Sequence, residues 1–253
     1  MLEIRDLCAG YPGKRVLRHV NVSIPSGALT VILGPNGCGK STLLKSICGL
    51  IPTQSGCVTL DGERLTGMEP RLLAQRAAYL AQNRQIPDIA AKRLVLHGRF
   101  PYLSYPRKYR PQDEEIALQA MEQMGVAHLA DENVNQLSGG QRQKVYIAMA
   151  LAQQTPVILL DEPTTYLDIR HQLQMMKEAK RLAAQGKTVV MIIHDLPHAL
   201  EAADQVILMN QGEIVIRDTP QAVYDSREIE RTFGVRIGRV HTERGDKYYC
   251  EEN

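Results

Sequence analysis

The sequence predicts an α/β fold in which a mainly helical segment interrupts a largely parallel sheet. Short, continuously apolar runs at 157–160 and 189–193 are typical of strands that are buried on both faces of such a sheet. Between about 88 and 153 the pattern changes, because apolar residues recur at helical spacing within 113–124 and 138–154. Elsewhere, strand-like runs alternate with turns, without a low-complexity linker or an internal repeat.

The first 60 residues contain strand and turn signals that lead into a glycine-rich loop. Val20, Val22 and Ile24 alternate with polar residues as in a half-buried strand, and a Pro-Ser-Gly turn follows them. The apolar run 30–33 predicts another strand, and 41–49 predicts a helix that ends at glycine. We therefore expect a strand, a loop and a helix in this order.

The C-terminal part predicts a hairpin, a helical stretch and a small tail. A strand at 206–209 and a strand at 213–216 flank an Asn-Gln-Gly turn, which indicates a hairpin. We expect 219–234 to be helical and the last residues to be rich in strand. The predicted organisation is a main domain at 1–235, into which a helical subdomain at about 88–153 is inserted, and a short tail at 236–253.

Composition and charge are those of a globular protein and give no reason to expect nucleic-acid binding. Hydrophobic residues make up 44% of the 253 residues, and the formal net charge is only +2. The N-terminus lacks the apolar stretch of a signal peptide, and no apolar run approaches the roughly 20 residues that span a bilayer. The five cysteines form no CxxC pair, and we interpret them as reduced thiols of a cytosolic protein. Any role at a membrane is therefore expected to depend on a partner.

Residues 34–42, GPNGCGKST, match the phosphate-binding pattern G-x-x-x-x-G-K-[ST]. The match lies between a predicted strand and a predicted helix, which is the context that the pattern requires and which disfavours an ordinary glycine-rich turn. Glycines let backbone N–H groups turn toward a phosphate, and the helix N-terminus adds the positive end of its dipole. In this interpretation Lys40 contacts the β- and γ-phosphates and Ser41 binds Mg²⁺.

Two successive carboxylates, Asp161 and Glu162, stand at the C-terminal end of the predicted strand 157–160. Ligands of open α/β sheets bind at this end of the strands. We expect Asp161 to hold Mg²⁺ through water and Glu162 to polarise an attacking water as general base. Alone, the pattern would also fit a strand that ends in a polar turn, but its combination with the phosphate-binding loop favours the catalytic interpretation.

The segment 137–143, LSGGQRQ, predicts a helix start at which Ser138 is the cap and Gln141 completes a capping box. Its two adjacent glycines lower helix propensity by about 1 kcal/mol each. This cost is understandable if bare backbone must approach a ligand closely. We therefore interpret the start of this helix as a second phosphate site.

Together, the glycine-rich loop, the LSGGQRQ segment and the strand ending in Asp161-Glu162-Pro163 resemble the motifs of the ATP-binding cassette (ABC) ATPases. The resemblance covers nearly the whole chain. It implies a P-loop NTPase (RecA-like) core with an antiparallel β subdomain and an inserted α-helical subdomain. It also implies ATP hydrolysis coupled to transmembrane transport, with ATP and Mg²⁺ as cofactors.

Further positions match this family residue by residue. Tyr11 stands where the family has an aromatic residue that stacks on adenine, and Gln82 matches a glutamine that contacts Mg²⁺ and the transmembrane subunit. Asp168, after Leu167, matches a loop that crosses the dimer interface. His194 matches the switch histidine that contacts the γ-phosphate.

The resemblance therefore implies a set of site residues and a second copy of the chain. The expected catalytic residues are Lys40, Gln82, Glu162 and His194. The expected metal ligands are Ser41, Gln82 and Asp161. The expected nucleotide-binding residues are Tyr11, Gly34, Asn36, Gly37, Cys38, Gly39, Lys40, Ser41, Thr42, Ser138, Gly139, Gly140 and Gln141. The family places each ATP between the phosphate-binding loop of one copy and the LSGGQ segment of the other, so a chain with one of each is expected to form a homodimer of C₂ symmetry.

Within the family, the chain resembles the ATPases that serve importers of iron–siderophore complexes, haem and cobalamin. The matching segments are 95–102, 152–155, 161–169, 171–172 and 233–235. This resemblance implies a polytopic membrane permease as partner, an indirect link to a solute-binding protein, and a peripheral position on the cytoplasmic face of the inner (plasma) membrane. It leaves the cargo open, because cargo specificity in this family lies in the permease and the binding protein.

Residues 84–110 carry seven lysines and arginines against one aspartate. The pattern fits a solvated basic face, or a surface that faces the membrane partner or anionic headgroups.

Other functions within the family stay open at this point. An ABC ATPase of an exporter, of another cargo system or of DNA repair is possible, although a repair protein would carry coiled-coil, zinc-binding or second-cassette segments that this sequence lacks. A non-hydrolysing regulatory subunit is disfavoured because Lys40, Glu162 and His194 are all present.

Overall fold

The computed structural model is built on three β-sheets and describes residues 1–82, 85–164, 167–243 and 245–252. The strands are β1 (Leu2–Tyr11), β2 (Lys14–Ile24), β3 (Leu29–Leu33), β4 (Thr53–Leu60), β5 (Glu63–Arg64), β6 (Ala77–Leu80), β7 (Val157–Asp161), β8 (Thr188–Ile192), β9 (Gln205–Asn210), β10 (Glu213–Asp218), β11 (Val235–Thr242) and β12 (Gly245–Glu252). The helices are α1 (Lys40–Ile47), α2 (Pro70–Leu73), α3 (Ala91–Leu96), α4 (Pro111–Gln123), α5 (Gly139–Ala152), α6 (Ile169–Ala184), α7 (Leu196–Ala202), α8 (Pro220–Asp225) and α9 (Glu228–Phe233). The predictions that involve Arg84, Thr165 and Tyr166 lie outside the described residues.

The central sheet has six strands in the order β10-β9-β3-β8-β7-β6. Strands β3, β7 and β8 are buried along their whole length, as their continuously apolar sequences predict. The five strands from β9 to β6 run parallel, and β10 returns antiparallel to β9. The hairpin predicted around 210–212 is therefore observed.

A separate antiparallel sheet, in the order β2-β1-β4-β5, covers one face of the central sheet. Ile32 of β3 belongs to the apolar core on this face, together with Leu17 of β2 and Leu43 of α1. Its neighbours Val31 and Leu33 belong to the core on the opposite face, which helices cover. Successive side chains of a strand point to opposite faces, so β3 contributes to both cores. The predicted α/β core with an antiparallel β subdomain is confirmed.

Helices α3, α4 and α5 follow one another between β6 and β7, where the sequence predicts a helical insertion. An ion pair is buried among them. Arg99 Nε donates to Asp113 Oδ1 over 3.0 Å, and both side chains are 8% exposed. Arg99 Nη1 also donates to the carbonyl of Ala152, at the end of α5, over 2.9 Å. One buried guanidinium therefore joins the start of α4 to the C-terminal end of α5.

Hydrogen bonds keep Asp113 ionised in spite of its burial. Burial alone would raise the pKa of this carboxyl group, but the backbone N–H of Arg110 and the side chain of Arg99 donate to it and lower its pKa below the usual value. A buried charge of this kind is stable only while its partner is present.

The C-terminal residues form a hairpin of β11 and β12 that packs against α7. The hairpin begins at Val235, and its residues Ile237 and Tyr248 are buried in the main core. Glu201 of α7 accepts hydrogen bonds from Lys247 Nζ and from the backbone N–H of Tyr248. The tail thus lies on the domain instead of extending from it.

The helical stretch predicted at 219–234 is observed as two short helices, α8 and α9. Arg227 lies between them with φ 61°, a left-handed conformation that no α-helix contains. The hydroxyl of Ser226 accepts a hydrogen bond from the N–H of Glu228, which replaces a helical bond at the break. Helical spacing alone does not report such an interruption.

Replacing Arg99 by methionine is expected to destabilise the protein by about 3–5 kcal/mol, because it leaves the Asp113 carboxylate buried without its partner. Chemical denaturation of purified protein measures this change. The matched control is Lys92→Met, which removes an exposed pair with Glu114 and is expected to cost at most about 1 kcal/mol. Equal losses in the two variants would contradict the structural role of the buried pair.

Candidate functional site

The loop between β3 and α1 has the backbone that the sequence pattern requires. Gly34 and Gly39 adopt φ values of 152° and 113°, which side-chain-bearing residues rarely adopt. A Cβ atom on Gly34 would lie 2.2 Å from the carbonyl oxygen of Met209 in β9, so the loop passes too close to the sheet for any other residue. Helix α1 begins at Lys40, directly after the loop.

The back of this loop is fixed by the turn between β9 and β10. The N–H of Gly212 donates to the carbonyl of Cys38 over 2.9 Å, and the carbonyl of Gly212 accepts from Arg18 of β2 over 2.9 Å. The Cys38 side chain is buried, and burial raises the pKa of its thiol, so the group stays protonated at neutral pH. Cys38 therefore supports the loop from behind.

Lys40 is held inside the loop. Its Nζ donates to the carbonyl oxygens of Gly34 over 2.6 Å and Pro35 over 3.0 Å, and the residue is only 6% exposed. These neutral acceptors orient the ammonium group without cancelling its charge. The loop therefore presents a fixed positive charge and the N-terminus of a helix at one place, which suits a phosphate group.

Asp161, the last residue of β7, is 2% exposed and has a hydrogen-bond donor at each carboxylate oxygen. Ser41 Oγ donates to Oδ1 over 2.9 Å. The hydroxyl of Tyr79, in β6, donates to Oδ2 over 2.8 Å. The structure thus brings together the hydroxyl and the carboxylate that the sequence predicts as metal ligands.

Glu162 leaves the strand in a left-handed conformation, with φ 51°. Gln82 Nε2 donates to its Oε2, and His194 Nε2 lies 2.5 Å from its Oε1. The side chain of Glu162 is 12% exposed, whereas that of His194 is 49% exposed. Gln82, Glu162 and His194 are consequently one cluster, contributed by the ends of three neighbouring strands.

These residues line a cavity of about 470 Å³, large enough for a small ligand. Its lining residues are Tyr11, Lys14, Val16, Asn36, Gly37, Gly39, Lys40, Ser41, Thr42, Gln82, Glu162 and His194. Lys14 and Val16 belong to β2 and carry no motif, so the sequence analysis missed them. Of the predicted loop residues, Gly34 and Cys38 lie behind the lining.

The side chains present fit a magnesium–phosphate ligand. No group of three or more His, Cys, Asp and Glu side chains that could enclose a metal occurs in the described part of the chain. Ser41 and Asp161 offer two hard oxygen donors beside the loop, and Mg²⁺ typically binds one or two protein oxygens and takes its other ligands from phosphates and water. A nucleotide di- or triphosphate would supply both the phosphates and the charge that Lys40 and the helix N-terminus favour.

The LSGGQ segment forms a capped helix start, as predicted, but outside this cavity. Ser138 Oγ accepts from the N–H of Gln141 over 3.3 Å, and Gln141 Oε1 accepts from the N–H of Ser138 over 3.0 Å. Ser138 and Gly139 are exposed. None of the residues 138–141 is among those that line the cavity in the part of the chain that the structure describes. One copy of the chain therefore presents its two predicted phosphate sites on separate surfaces.

A buried glutamine connects this helix to the carboxylate cluster. Gln143, in α5, donates from Nε2 to the carbonyl oxygen of Pro163 over 2.6 Å. Pro163 directly follows Glu162 in the chain. The sequence did not predict the contact between Gln143 and Pro163, because the contact depends on how α5 packs against the end of β7.

Comparison with known proteins identifies a family. The family model described as "ABC transporter" matches residues 17–165. The ferric enterobactin transport ATP-binding protein FepC of Escherichia coli (strain K12) is 42% identical over 233 residues, which cover 91% of this chain and 86% of that protein.

Two solved structures agree over most of the chain. A transporter described as of the metal-chelate type, in an inward-facing conformation, superposes with a TM-score of 0.85 at 26% identity, covering 99% of this chain and 96% of the other. A dimeric ATP-binding cassette bound to ADP and Pi, described as a post-hydrolysis state, superposes with a TM-score of 0.75 at 28% identity, covering 87% of this chain and 99% of the other.

Proposed function

The chain belongs to the ABC transporter family, and from this membership we propose that it is the ATP-hydrolysing subunit that powers import of a metal chelate through a partner permease. The observation that carries the hydrolytic part of the proposal is a single cavity in which the Lys40 loop and the cluster of Gln82, Glu162 and His194 face one ligand space. The proposal that the cargo is a metal chelate rests on the transport functions stated in the names of the similar proteins.

In the proposed complex, the glycine loop binds the phosphates of ATP. Backbone N–H groups of residues 34–42 and the N-terminus of α1 surround the phosphates, and Lys40 exchanges its bonds to Gly34 and Pro35 for contacts with the β- and γ-phosphates. Tyr11, 46% exposed at the edge of the cavity, is proposed to stack on the adenine ring. Asn36 and Thr42 line the same cavity.

Ser41 and Asp161 are proposed to hold Mg²⁺, with Gln82 as a further ligand. Mg²⁺, when bound, neutralises charge on the β- and γ-phosphates. The hydroxyl of Ser41, in α1, lies 2.9 Å from Asp161 Oδ1 and would turn from it toward the metal by rotation of the Ser41 side chain. Asp161 is proposed to contact the metal through water, while its Oδ2 keeps the hydrogen bond from Tyr79.

Glu162 is proposed as the general base that takes a proton from the attacking water. Its two oxygens are in contact with Gln82 and His194, so both neighbours orient the carboxylate. His194 is half-exposed to the cavity and is proposed to contact the γ-phosphate when ATP is bound. The three residues would then respond to the nucleotide together.

We propose that the functional unit is a C₂ homodimer with two ATP sites. The exposed start of α5, with Ser138, Gly139, Gly140 and Gln141, lies outside the cavity of its own chain, so a second copy is needed to bring it to the ATP phosphates. This helix has 14 residues and an aligned dipole, which favours an anion at its N-terminus. A related cassette is described as a dimer.

The proposed partner is a polytopic permease, which itself is linked to a solute-binding protein. No described helix combines the length and the apolar character that crossing a bilayer requires. We propose that the chain lies peripherally on the cytoplasmic face of the inner (plasma) membrane and docks through the Gln82 loop and the helical insertion. The described part of the basic segment 84–110 lies in this insertion, where Tyr105 is 96% exposed.

The proposed cargo is an iron–siderophore, haem or cobalamin-type chelate.

Glu162→Gln is expected to retain ATP binding while the rate of phosphate release falls at least about 100-fold, the range that general bases contribute. The amide keeps the shape of the side chain but accepts no proton. Titration with a fluorescent ATP analogue, phosphate-release kinetics and size-exclusion chromatography with ATP measure binding, turnover and dimer formation. The control is Glu115→Gln on the exposed face of α4. Normal turnover in Glu162→Gln would refute the assignment.

Mixing two inactive variants tests the shared site. Lys40→Ala weakens ATP binding at the loop, and Ser138→Arg blocks the start of α5 at a capping cost of only about 1 kcal/mol. A heterodimer of the two keeps one intact site, so the mixture is expected to recover ATP-dependent association that neither variant shows alone. Ser138→Ala, which removes the cap without blocking the surface, controls for local unfolding. No recovery in the mixture would exclude the shared-site arrangement.

The cargo is tested by reconstitution with the permease in liposomes. ATP hydrolysis is expected to increase when a binding protein loaded with an iron chelate, haem or a corrinoid is added, because cargo delivery favours closure of the ATPase dimer. The unloaded binding protein is the control. Stimulation only by a sugar-, amino-acid- or lipid-loaded binding protein would refute the cargo class and leave the ATPase assignment intact.

A further inference from the structure

The carboxylate of Asp161 is nearly inaccessible to water and is held from two sides. Ser41 Oγ donates to Oδ1 over 2.9 Å, and Tyr79 OH donates to Oδ2 over 2.8 Å. At 2% exposure, the group relies on these protein donors for its orientation. The Ser41 hydroxyl is itself a proposed metal ligand, so it is not available as a permanent partner. The Tyr79 hydroxyl is the donor that can remain.

Tyr79 reaches Asp161 because of strand pairing. Strands β6 and β7 are parallel, with Tyr79 opposite Leu159 and Leu80 opposite Leu160. The long phenol side chain extends toward the C-terminal edge of the sheet and meets Asp161 there. A phenol is protonated at neutral pH, so the Tyr79 hydroxyl can donate to this carboxylate.

The same strand leads to the neighbouring acid. Gln82 follows β6 two residues after its end and donates to Glu162. One strand end therefore contacts both successive carboxylates: Tyr79 contacts Asp161, and Gln82 contacts Glu162. The contact of Tyr79 with Asp161 lies deeper in the protein than the contact of Gln82 with Glu162, because Tyr79 is partly buried and Gln82 is exposed.

We propose that Tyr79 is a positioning residue for the magnesium site: its hydroxyl fixes Oδ2 of Asp161 and thereby directs Oδ1 toward Ser41 and the metal. This inference rests on the proposed function. Tyr79 touches neither nucleotide nor metal in this arrangement, because it acts through the carboxylate. It also ties the metal-binding acid to the strand that carries Gln82.

Removing the hydroxyl is expected to weaken metal binding and to spare nucleotide binding by the loop. Partners that orient a metal ligand from outside typically change metal affinity by 10–100-fold when they are lost. In Tyr79→Phe the ring still fills its space, but Oδ2 loses a donor and the carboxylate can rotate away from Ser41. The loop that holds Lys40 is bonded elsewhere, through Cys38 to the turn at Gly212, and Gly212 in turn bonds to β2.

The test compares Tyr79→Phe with a matched variant in the full-length protein. Tyr102→Phe removes another partly buried hydroxyl, which donates to the carbonyl of Gln153 over 2.8 Å and lies in the helical insertion. ADP affinity is measured by fluorescence titration in EDTA and at increasing Mg²⁺, and bound Mn²⁺ is measured by electron paramagnetic resonance in the presence of ADP. The melting temperature of each variant is recorded in parallel.

Tyr79→Phe is expected to keep the ADP affinity measured in EDTA and to need about 10-fold more Mg²⁺ or Mn²⁺ for half-maximal effect. Tyr102→Phe is expected to match the wild type in both. An unchanged metal requirement in Tyr79→Phe, or equal shifts in the two variants, would overturn the inference. Failure of the wild-type protein to bind ADP at all would instead refute the proposed function, so the two outcomes are distinguishable.

Discussion

The left-handed backbone of Glu162 separates two successive carboxylates, and the arrangement of the site depends on that separation. With φ 51°, the chain leaves β7 directly after Asp161. Asp161 stays buried between Ser41 and Tyr79, whereas Glu162 is partly exposed beside His194. A non-glycine residue in this conformation costs of order 1–3 kcal/mol, which the surrounding contacts must offset. As a result, the two carboxylates have different environments. That of Asp161 fits the proposed metal ligand, and that of Glu162 fits the proposed acceptor of a proton.

The phosphate-binding loop and the LSGGQ helix depend in a comparable way on distant contacts. The antiparallel sheet supports the loop from behind, since Arg18 of β2 bonds to Gly212 and Gly212 bonds to Cys38. Helix α5 is fixed at both ends: Gln143 bonds to the carbonyl of Pro163 near its start, and the buried Arg99 bonds to the carbonyl of Ala152 at its end. A movement of the helical insertion would therefore reach the segment after Glu162 through a rigid helix.

Much of the fold could be predicted because its signals are local. The buried strands β3, β7 and β8 are continuous apolar runs, and α5 begins at the capping box that its sequence encodes. The break at Arg227 was not predictable, because helical spacing continues on both sides of it and the interruption depends on a single left-handed residue. The packing of the tail through Tyr248 was equally hidden, since it requires α7 as a partner.

For the site, the sequence by itself determined the chemical groups, and the tertiary structure decided their partners. Local patterns predicted the loop glycines, Lys40 and the pair of carboxylates. These patterns depend on structure within a few residues, namely the backbone conformation of the loop, the start of a helix and the end of a strand. The contact of Tyr79 with Asp161 exists because β6 lies beside β7. The order of the strands in a sheet cannot be read from the pattern of apolar residues within either strand. Likewise, only packing shows that Ser138 lies on a different surface from the cavity, because the distance between two motifs along the chain does not set their distance in space.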